Sequence, residues 1–244
     1  MRMLLDLLLP TACVVCAGAR GPVCARCAAT LWQPRRRDPT PRPYGLPPVW
    51  TADAYDGPMR SLVLAYKQGG CWPAVPPLVS ALRATLGVAI AGTTDGLVLL
   101  VPVPSSAAAR RRRGHHHVVA LARRTARAGP VAGVELAVAP LLRVRRRVAD
   151  QRSLHADERR ANLAGSMACR PVPPRLAGLS CVVVDDVVTT GSTAVEAVRA
   201  LREAGLQPVA VVALAATQRR SAPIASPDVL KELAKNLARG VDPD

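Results

Sequence analysis

The sequence predicts an α/β fold in which helices flank an open parallel sheet, with a small cysteine-rich module ahead of it. Three apolar runs rich in β-branched residues, 97–101, 181–184 and 209–215, are typical of strands buried on both faces of a parallel sheet. Helical patterns separate these runs, and Gly205 marks the end of the last helix. Because strands and helices alternate along the chain, a doubly wound arrangement is expected.

Other elements follow from the same periodicities. A strand is expected near 50–55, and helices are expected at 59–66, at 78–86, at 118–127 and around Val195, Val198 and Leu201. The segment 141–162 is polar and basic, with helical spacing after Ser153. A short helix is expected in the tail, with Ser226 as its N-cap, Pro227 in its first turn and Gly240 as its stop.

Composition limits the class of protein. The 244 residues are enough for one substantial domain and a smaller appendage, and a hydrophobic content of 50% indicates a globular chain. The net charge of +16 favours binding of a polyanion, but the aromatic residues that would stack on bases make up only 2% of the sequence. Basicity alone therefore does not decide between DNA and a small phosphorylated ligand.

The N-terminal sequence MRMLLDLLLP mimics a secretory signal. Asp6 interrupts its apolar part, however, and Pro10 stands where a lipobox would have an aliphatic residue. Elsewhere the apolar runs are too short to cross a bilayer. We expect a first amphipathic helix that packs on the domain, no membrane insertion and a cytoplasmic location.

Four cysteines form a C-x2-C-x7-C-x2-C array: Cys13, Cys16, Cys24 and Cys27. Two such knuckles place four thiolates at the spacing that a tetrahedral zinc ion needs. Disulfides or free thiols are the alternatives, and the expected absence of an export signal argues against disulfides. A zinc ion held by four thiolates has no open position for water, so its expected role is structural.

These patterns divide the chain into four parts. Residues 1–32 carry the N-terminal helix and the zinc module, and residues 33–48 form a linker rich in proline and arginine. The α/β domain spans 49–220, and a tail with one helix spans 221–244.

The candidate binding residues follow directly after the run 181–184, where Asp185 and Asp186 precede the loop sequence TTGST. The first turn of the following helix offers unpaired N–H groups and the positive end of a dipole, which together bind phosphate. Gly191 lets the backbone approach closely, and carboxylates suit the vicinal hydroxyls of a ribose. The segment therefore predicts a sugar phosphate site. An ordinary strand-to-helix turn with a hydroxyl N-cap is the alternative.

The arginine-rich sequence SSAAARRRRGHHH follows the strand 97–101, at the sheet edge where ligands bind. Arg112 and Arg113 are candidates for holding a departing pyrophosphate, and a solvated charge run is the equal alternative. Adjacent residues point in different directions, so the three histidines His115, His116 and His117 do not indicate a metal site. One of them is a candidate for contacting substrate.

The string VVVDDVVTTGST resembles the signature with which type I phosphoribosyltransferases bind 5-phosphoribosyl 1-diphosphate (PRPP). The resemblance implies that Asp185 and Asp186 hold the ribose hydroxyls and are the catalytic carboxylates, while Thr189–Thr193 hold the 5′-phosphate. It implies PRPP contacts at Asp185, Asp186, Val187, Val188, Thr189, Thr190, Gly191, Ser192 and Thr193.

From the N-terminus to about Ala215 the chain also resembles the ComF family of competence-associated, phosphoribosyltransferase-like proteins. The resemblance is carried by LLDLLLPTACVVC, AYDGPMRSLVLAYKQGG, VPVPSSAAARRRRGHHH and ADQRSLHADERRANLAG. It implies a zinc module, a phosphoribosyltransferase-like domain and a link to the uptake of transforming DNA. Lys67, Gln151, Arg159 and Asn162 fall on positions that match the family pattern. The resemblance places Lys67, Gln151 and Asn162 on the pyrophosphate and acceptor side, with Gln151 and Asn162 as candidates for shaping the acceptor side. The family commonly has an aromatic and amide residues after Arg113 and Gly114, where this chain has histidines.

The resemblance implies transfer of a phosphoribosyl group from PRPP, with Mg²⁺ on its diphosphate, to an unknown base or amine acceptor, with release of pyrophosphate. A PRPP sensor without turnover, or a factor of the DNA-uptake machinery that binds single-stranded DNA, is the alternative. Single-stranded DNA and DNA-uptake proteins are candidate partners, and a homodimer is a candidate assembly. A third hypothesis treats the cysteine module and the tail helix as docking surfaces.

Overall fold

The computed structural model describes residues 12–13, 15–18, 23–24, 26–27, 33–69, 74–105, 116–145 and 165–217. In these ranges the strands are β1 (Arg35–Arg36), β2 (Val49–Ala54), β3 (Leu97–Pro102), β4 (Glu135–Val138), β5 (Leu142–Val144), β6 (Met167–Cys169), β7 (Ser180–Val188) and β8 (Gln207–Ala216). The helices there are α1 (Gly57–Gly69), α2 (Val75–Ala89), α3 (His117–Arg127) and α4 (Ser192–Glu203), with a 3₁₀ turn at Pro174–Leu176.

A six-stranded sheet forms the centre of the described fold, in the order β1-β2-β8-β7-β3-β4. The five strands β2, β8, β7, β3 and β4 run parallel to one another, and β1 pairs antiparallel to β2. β5 and β6 form a separate antiparallel ribbon. The predicted α/β class with a mostly parallel sheet is confirmed, and β7 lies at its centre.

Both faces of β7 are buried, as its unbroken apolar run predicts. Val182 and Val184 lie in a core cluster with residues of α1, α2 and α3, and each has an exposed fraction of 0%. Cys181 and Val183 lie in the opposite cluster, which includes apolar residues of α4. Successive side chains of a strand alternate between faces, so only a run that is apolar at every position can fill both clusters.

β7 is longer than the sequence predicts. The apolar pattern placed its end at Val184, but the strand continues through both aspartates to Val188. Val187 and Val188 pair with residues near the end of the 10-residue strand β8. The neighbouring strand thus sets the length of β7, and the acidic pair lies inside the strand, near its carboxyl end.

The stretch predicted as a linker makes specific contacts in the described structure. Arg35 and Arg36 pair with β2, and Leu46, only 3% exposed, lies in the core cluster under α4. Arg202 of α4 donates a hydrogen bond to the carbonyl oxygen of Gly45 over 2.7 Å. Single contacts of this kind leave no periodicity in a sequence. The limits of the four predicted parts stay a prediction.

Three segments predicted to be helical lie outside the described residues: the N-terminal one within 1–11, the one after Ser153 and the tail helix within 221–244. None of the helices in the described ranges has both the length and the apolar character needed to cross a membrane.

Candidate functional site

Asp186 is the best-connected side chain of the acidic pair. It points toward α1 and α3, and its side chain is 13% exposed. Its Oδ1 accepts a hydrogen bond from Lys67 Nζ over 2.8 Å, and its Oδ2 contacts His117 Nε2. Burial opposes ionisation, but the hydrogen bond from His117 and the charge of Lys67 outweigh it and lower the pKa of Asp186. Asp186 is therefore held as a carboxylate.

Asp185 has the opposite protonation preference. Burial, reinforced by the charge of Asp186, raises the pKa of Asp185 to about 8, although the N–H of Asp186 donates to its Oδ1 over 2.8 Å. The raised pKa of Asp185 and the lowered pKa of Asp186 favour a state in which Asp185 keeps a proton and Asp186 carries the negative charge. Asp186 can only accept hydrogen bonds, whereas Asp185 can donate one and accept others. Together they match two vicinal hydroxyls, each of which both donates and accepts.

Lys67 and His117 reach Asp186 from different helices. Lys67 lies in the last turn of α1, and His117 is the first residue of α3. The sequence pointed to Lys67 only through a family resemblance and left the role of the histidine run open. His116 is exposed, whereas His117 is 3% exposed and directed at the acidic pair. Its position depends on how α3 docks against β7, for which the sequence has no local signal.

The loop that follows the acidic pair begins α4. Gly191 is the N-cap residue of this helix and has a φ of 74°, a conformation that glycine adopts without strain. Thr190 Oγ1 and Ser192 Oγ lie 2.9 Å apart, so two hydroxyls flank the glycine. Gly191 has no side chain to cap the helix, and the N–H of Ser192 donates a long hydrogen bond to Thr190 Oγ1 over 3.5 Å. A helix start of this kind can donate first-turn N–H groups to an anion.

The back of this loop is closed by the stretch before β2. Pro39 is buried, and its Cγ would lie 2.6 Å from a Cβ atom on Gly191. Asp38 fixes this stretch, because its Oδ1 accepts the N–H of Val49 over 2.9 Å and its Oδ2 pairs with Arg36 and Arg42. Neither contact is visible as a sequence motif.

The four predicted cysteine ligands come together. Their sulfur atoms all lie within 4.8 Å of one another, and Cys16 Sγ lies 3.9 Å from Cys24 Sγ. A tetrahedron with Zn–S bonds of about 2.3 Å has sulfurs about 3.8 Å apart, so the set has the dimensions of a metal site. Cys13, Cys24 and Cys27 are buried in the core cluster that includes α1.

Charge in this cluster also favours a cation. Burial opposes the Cys13 thiolate, but the N–H groups of Cys24, Cys16 and Val15 donate to it and lower its pKa to about 6. Burial, together with the neighbouring sulfurs, raises the pKa of Cys27 to about 12. Four thiolates this close can all be ionised only around a positive ion.

The remaining predicted site residues, Arg112, Arg113, Gln151 and Asn162, lie outside the described residues. Lys67 is described, and it contacts Asp186. The pyrophosphate and acceptor side therefore stays a prediction.

Comparison with known proteins gives similar sequences and folds. Over 39 residues the chain is 56% identical to "Transcriptional regulator GfcR 1" of Methanosarcina barkeri, and likewise to "Transcriptional regulator GfcR" of Methanosarcina mazei. Each match covers 16% of this chain and 19% of the relative, so the chain spans about a fifth of the length of the curated relatives it matches.

Two solved structures show a remote likeness. Orotate phosphoribosyltransferase from Aeropyrum pernix is 18% identical, with 76% of this chain and 85% of that chain covered, and a TM-score of 0.32. Adenine phosphoribosyltransferase from Leishmania tarentolae is 14% identical, with 78% and 73% covered and the same TM-score of 0.32. A likeness at this level decides neither substrate nor assembly.

The family assignment comes from the sequence itself. Residues 116–241 match the phosphoribosyl transferase domain, and this match extends over more than half of the 244 residues. It includes β7, the acidic pair, the loop and α4. The chain therefore belongs to the phosphoribosyl transferase domain family.

Proposed function

We propose that the chain binds PRPP at the carboxyl end of β7. One observation carries this proposal: two adjacent carboxyl groups, those of Asp185 and Asp186, lie near the end of β7, just before a glycine loop that opens a helix. Asp185 and Asp186 take the ribose hydroxyls. Residues 189–193, together with the backbone that leads to them through Val187 and Val188, take the 5′-phosphate. Ligands of open parallel sheets bind at this edge.

The proposed reaction is transfer of the phosphoribosyl group to a nitrogen acceptor. A bond forms between the acceptor nitrogen and C1 of the ribose, the bond from C1 to the diphosphate oxygen breaks, and the nitrogen loses its proton to solvent. The protein holds the ribose and phosphate so that C1 faces the acceptor. We place Lys67, Arg112 and Arg113 toward the pyrophosphate and Gln151 and Asn162 toward the acceptor. Mg²⁺, when bound with PRPP, supplies positive charge to the leaving diphosphate.

The ComF-type assignment is part of this proposal. A four-sulfur cluster packed against a phosphoribosyl transferase domain supports it, and zinc is the ion that four thiolates suit best. The link to competence, the cytoplasmic location, the homodimer and the DNA partners rest on sequence reasoning and stay predictions.

PRPP sensing without turnover is the second candidate function. The observation that favours it is the 39-residue segment shared at 56% identity with proteins named as transcriptional regulators. A sensor would use the same acidic pair and loop but would release no pyrophosphate.

Calorimetric titration of the full chain with PRPP and Mg²⁺ tests the first step. The variant Asp185→Asn/Asp186→Asn should lose saturable binding, whereas Glu135→Gln, an exposed change on the edge strand β4, should keep it. Unchanged affinity in the double variant would refute the site. A pyrophosphate-release assay with purine bases, pyrimidine bases and amines then separates the two functions. Release with one acceptor identifies a transferase, and binding of PRPP without release in every case favours a sensor.

A further inference from the structure

Asp186 is held from two sides by donors on separate helices. Lys67 of α1 occupies Oδ1 at 2.8 Å and His117 of α3 occupies Oδ2. An ionised carboxylate oxygen accepts about two hydrogen bonds, so among the described residues each oxygen has one donor and room for one more. The two donors therefore fix the carboxylate without filling it.

His117 itself is fixed by contacts with two other parts of the fold. Its Nδ1 lies 3.4 Å from Ser105 Oγ, just after β3, and its carbonyl oxygen accepts the hydroxyl of Tyr66 over 2.7 Å. The rings of Tyr66 and His117 meet edge-on, with 6.2 Å between their centroids. A side chain that is 4% exposed and contacted in this way has few alternative rotamers.

The two donors contribute differently. Lys67 carries its charge on a flexible stem, so it neutralises the Asp186 carboxylate but does little to orient it. His117 has a planar ring whose position is set by its neighbours, so its hydrogen bond orients the Asp186 carboxylate. Burying a carboxylate without such donors is costly, and the carboxylate would rotate or take up a proton.

We propose that His117 is a positioning residue for the ribose: it orients Asp186 so that its carboxylate faces the ribose hydroxyls, which it shares with Asp185. This inference rests on the proposed function, because it assigns a role within the same site. A purely structural histidine would instead stabilise the packing of α3 on β7 and affect every ligand equally.

The test compares two variants of the full chain, His117→Leu and His117→Gln. Leucine removes the hydrogen bond to Asp186, whereas glutamine keeps an N–H donor on a side chain of similar reach. Calorimetric titrations use PRPP, ribose 5-phosphate and inorganic phosphate, since phosphate alone occupies the loop without touching the acidic pair. Glu135→Gln is the matched surface control, and thermal unfolding of each variant is recorded alongside.

His117→Leu should lower the affinity for PRPP and for ribose 5-phosphate about tenfold or more, because a misplaced Asp186 loses a charged hydrogen bond to the ribose. The affinity for inorganic phosphate should stay within about twofold. His117→Gln should recover most of the loss. The inference would be overturned if His117→Leu lost affinity equally for ribose 5-phosphate and for inorganic phosphate, or if its affinity for PRPP were unchanged. If the unaltered protein binds neither PRPP nor ribose 5-phosphate, the proposed function itself fails and the inference fails with it.

Discussion

Gly191 and Pro39 are in contact across the back of the phosphate loop, although they lie far apart in the sequence. A Cβ on Gly191 would approach Pro39 Cγ to 2.6 Å, and the backbone of Gly191 has a φ of 74°. Glycine is therefore required here twice, once for its backbone conformation and once for the space that its missing side chain leaves. The stretch that follows the cysteine module thus supports the loop proposed to bind phosphate.

Gly191→Ala should destabilise the protein more than Gly205→Ala does. Gly205, past the other end of α4, has a φ of 77° and nothing within 4 Å of a Cβ, so it measures the backbone cost alone. We expect Gly205→Ala to lower the free energy of unfolding by about 1–2 kcal/mol. Gly191→Ala should lose a further 1–3 kcal/mol or so from overpacking. Urea denaturation measures both.

Pro39→Ala in the Gly191→Ala background tests the cause. The smaller side chain removes the atom that the new Cβ would meet, so part of the loss should be recovered. If the two glycine variants lose the same free energy, Pro39 does not restrict the loop.

Glu196→Ala should be strongly destabilising because Glu196 connects α4 to the β5–β6 ribbon. Its side chain is 4% exposed, its Oε1 accepts the N–H of Met167 over 2.8 Å, and Arg199 bonds both Glu196 and the carbonyl oxygen of Met167. Removing it leaves a buried N–H and part of a guanidinium without their acceptor, at a cost of about 2–4 kcal/mol. Chemical denaturation gives the value.

Glu203→Ala is the control for this change. Glu203 pairs with the same Arg199, but its side chain is 66% exposed. An exposed pair contributes about 0–1 kcal/mol, so this variant should be close to the unaltered protein. Equal losses in the two glutamate variants would contradict the role given to Glu196.

Because of Asp185, the protein should become less stable as the pH rises from mildly acidic to mildly basic. The pKa of Asp185 is raised from 3.8 to about 8 by burial and by the charge of Asp186, so the native state keeps a proton that the unfolded chain loses. The stabilising contribution is complete below the ordinary pKa, declines as pH rises through this window, and is lost above the folded pKa.

Asp185→Asn should flatten this decline, since asparagine does not titrate. Thermal unfolding from about pH 6 to about pH 9 measures the slope, and Glu135→Gln should keep the slope of the unaltered protein. Asp186 acts in the opposite sense: its lowered pKa stabilises the fold above its ordinary value, and this is lost as pH falls. An unchanged slope in Asp185→Asn would show that Asp185 titrates normally.

Cys13→Ser should remove the metal and destabilise the core around α1. Cys13 is 2% exposed, and its sulfur accepts the N–H of Cys24 over 3.3 Å. Elemental analysis should find about one zinc per chain in the unaltered protein and almost none in the variant. Chelation should lower the unfolding temperature of the unaltered protein in the same way. Cys169→Ser, outside the cluster, should keep its zinc, and full zinc content in Cys13→Ser would refute the four-sulfur site.

The sequence by itself determined the features that depend on a short window of residues. The apolar run of β7, the acidic pair, the glycine that opens α4 and the two cysteine knuckles can all be recognised from spacing and residue type. Strand and helix periodicity acts locally, and so does the geometry of a C-x2-C knuckle. These features were enough to predict the fold class, the cysteine cluster and the position of the candidate phosphate loop.

Tertiary structure alone decided which distant residues meet. Lys67 and His117 converge on Asp186 because α1 and α3 pack on the same face of the sheet, and Pro39 reaches Gly191 because β1 pairs with β2. Helix docking and strand pairing are long-range choices that leave no local pattern. The unequal pKa values of Asp185 and Asp186 likewise arise from burial and neighbouring charge, which exist only once the chain has folded.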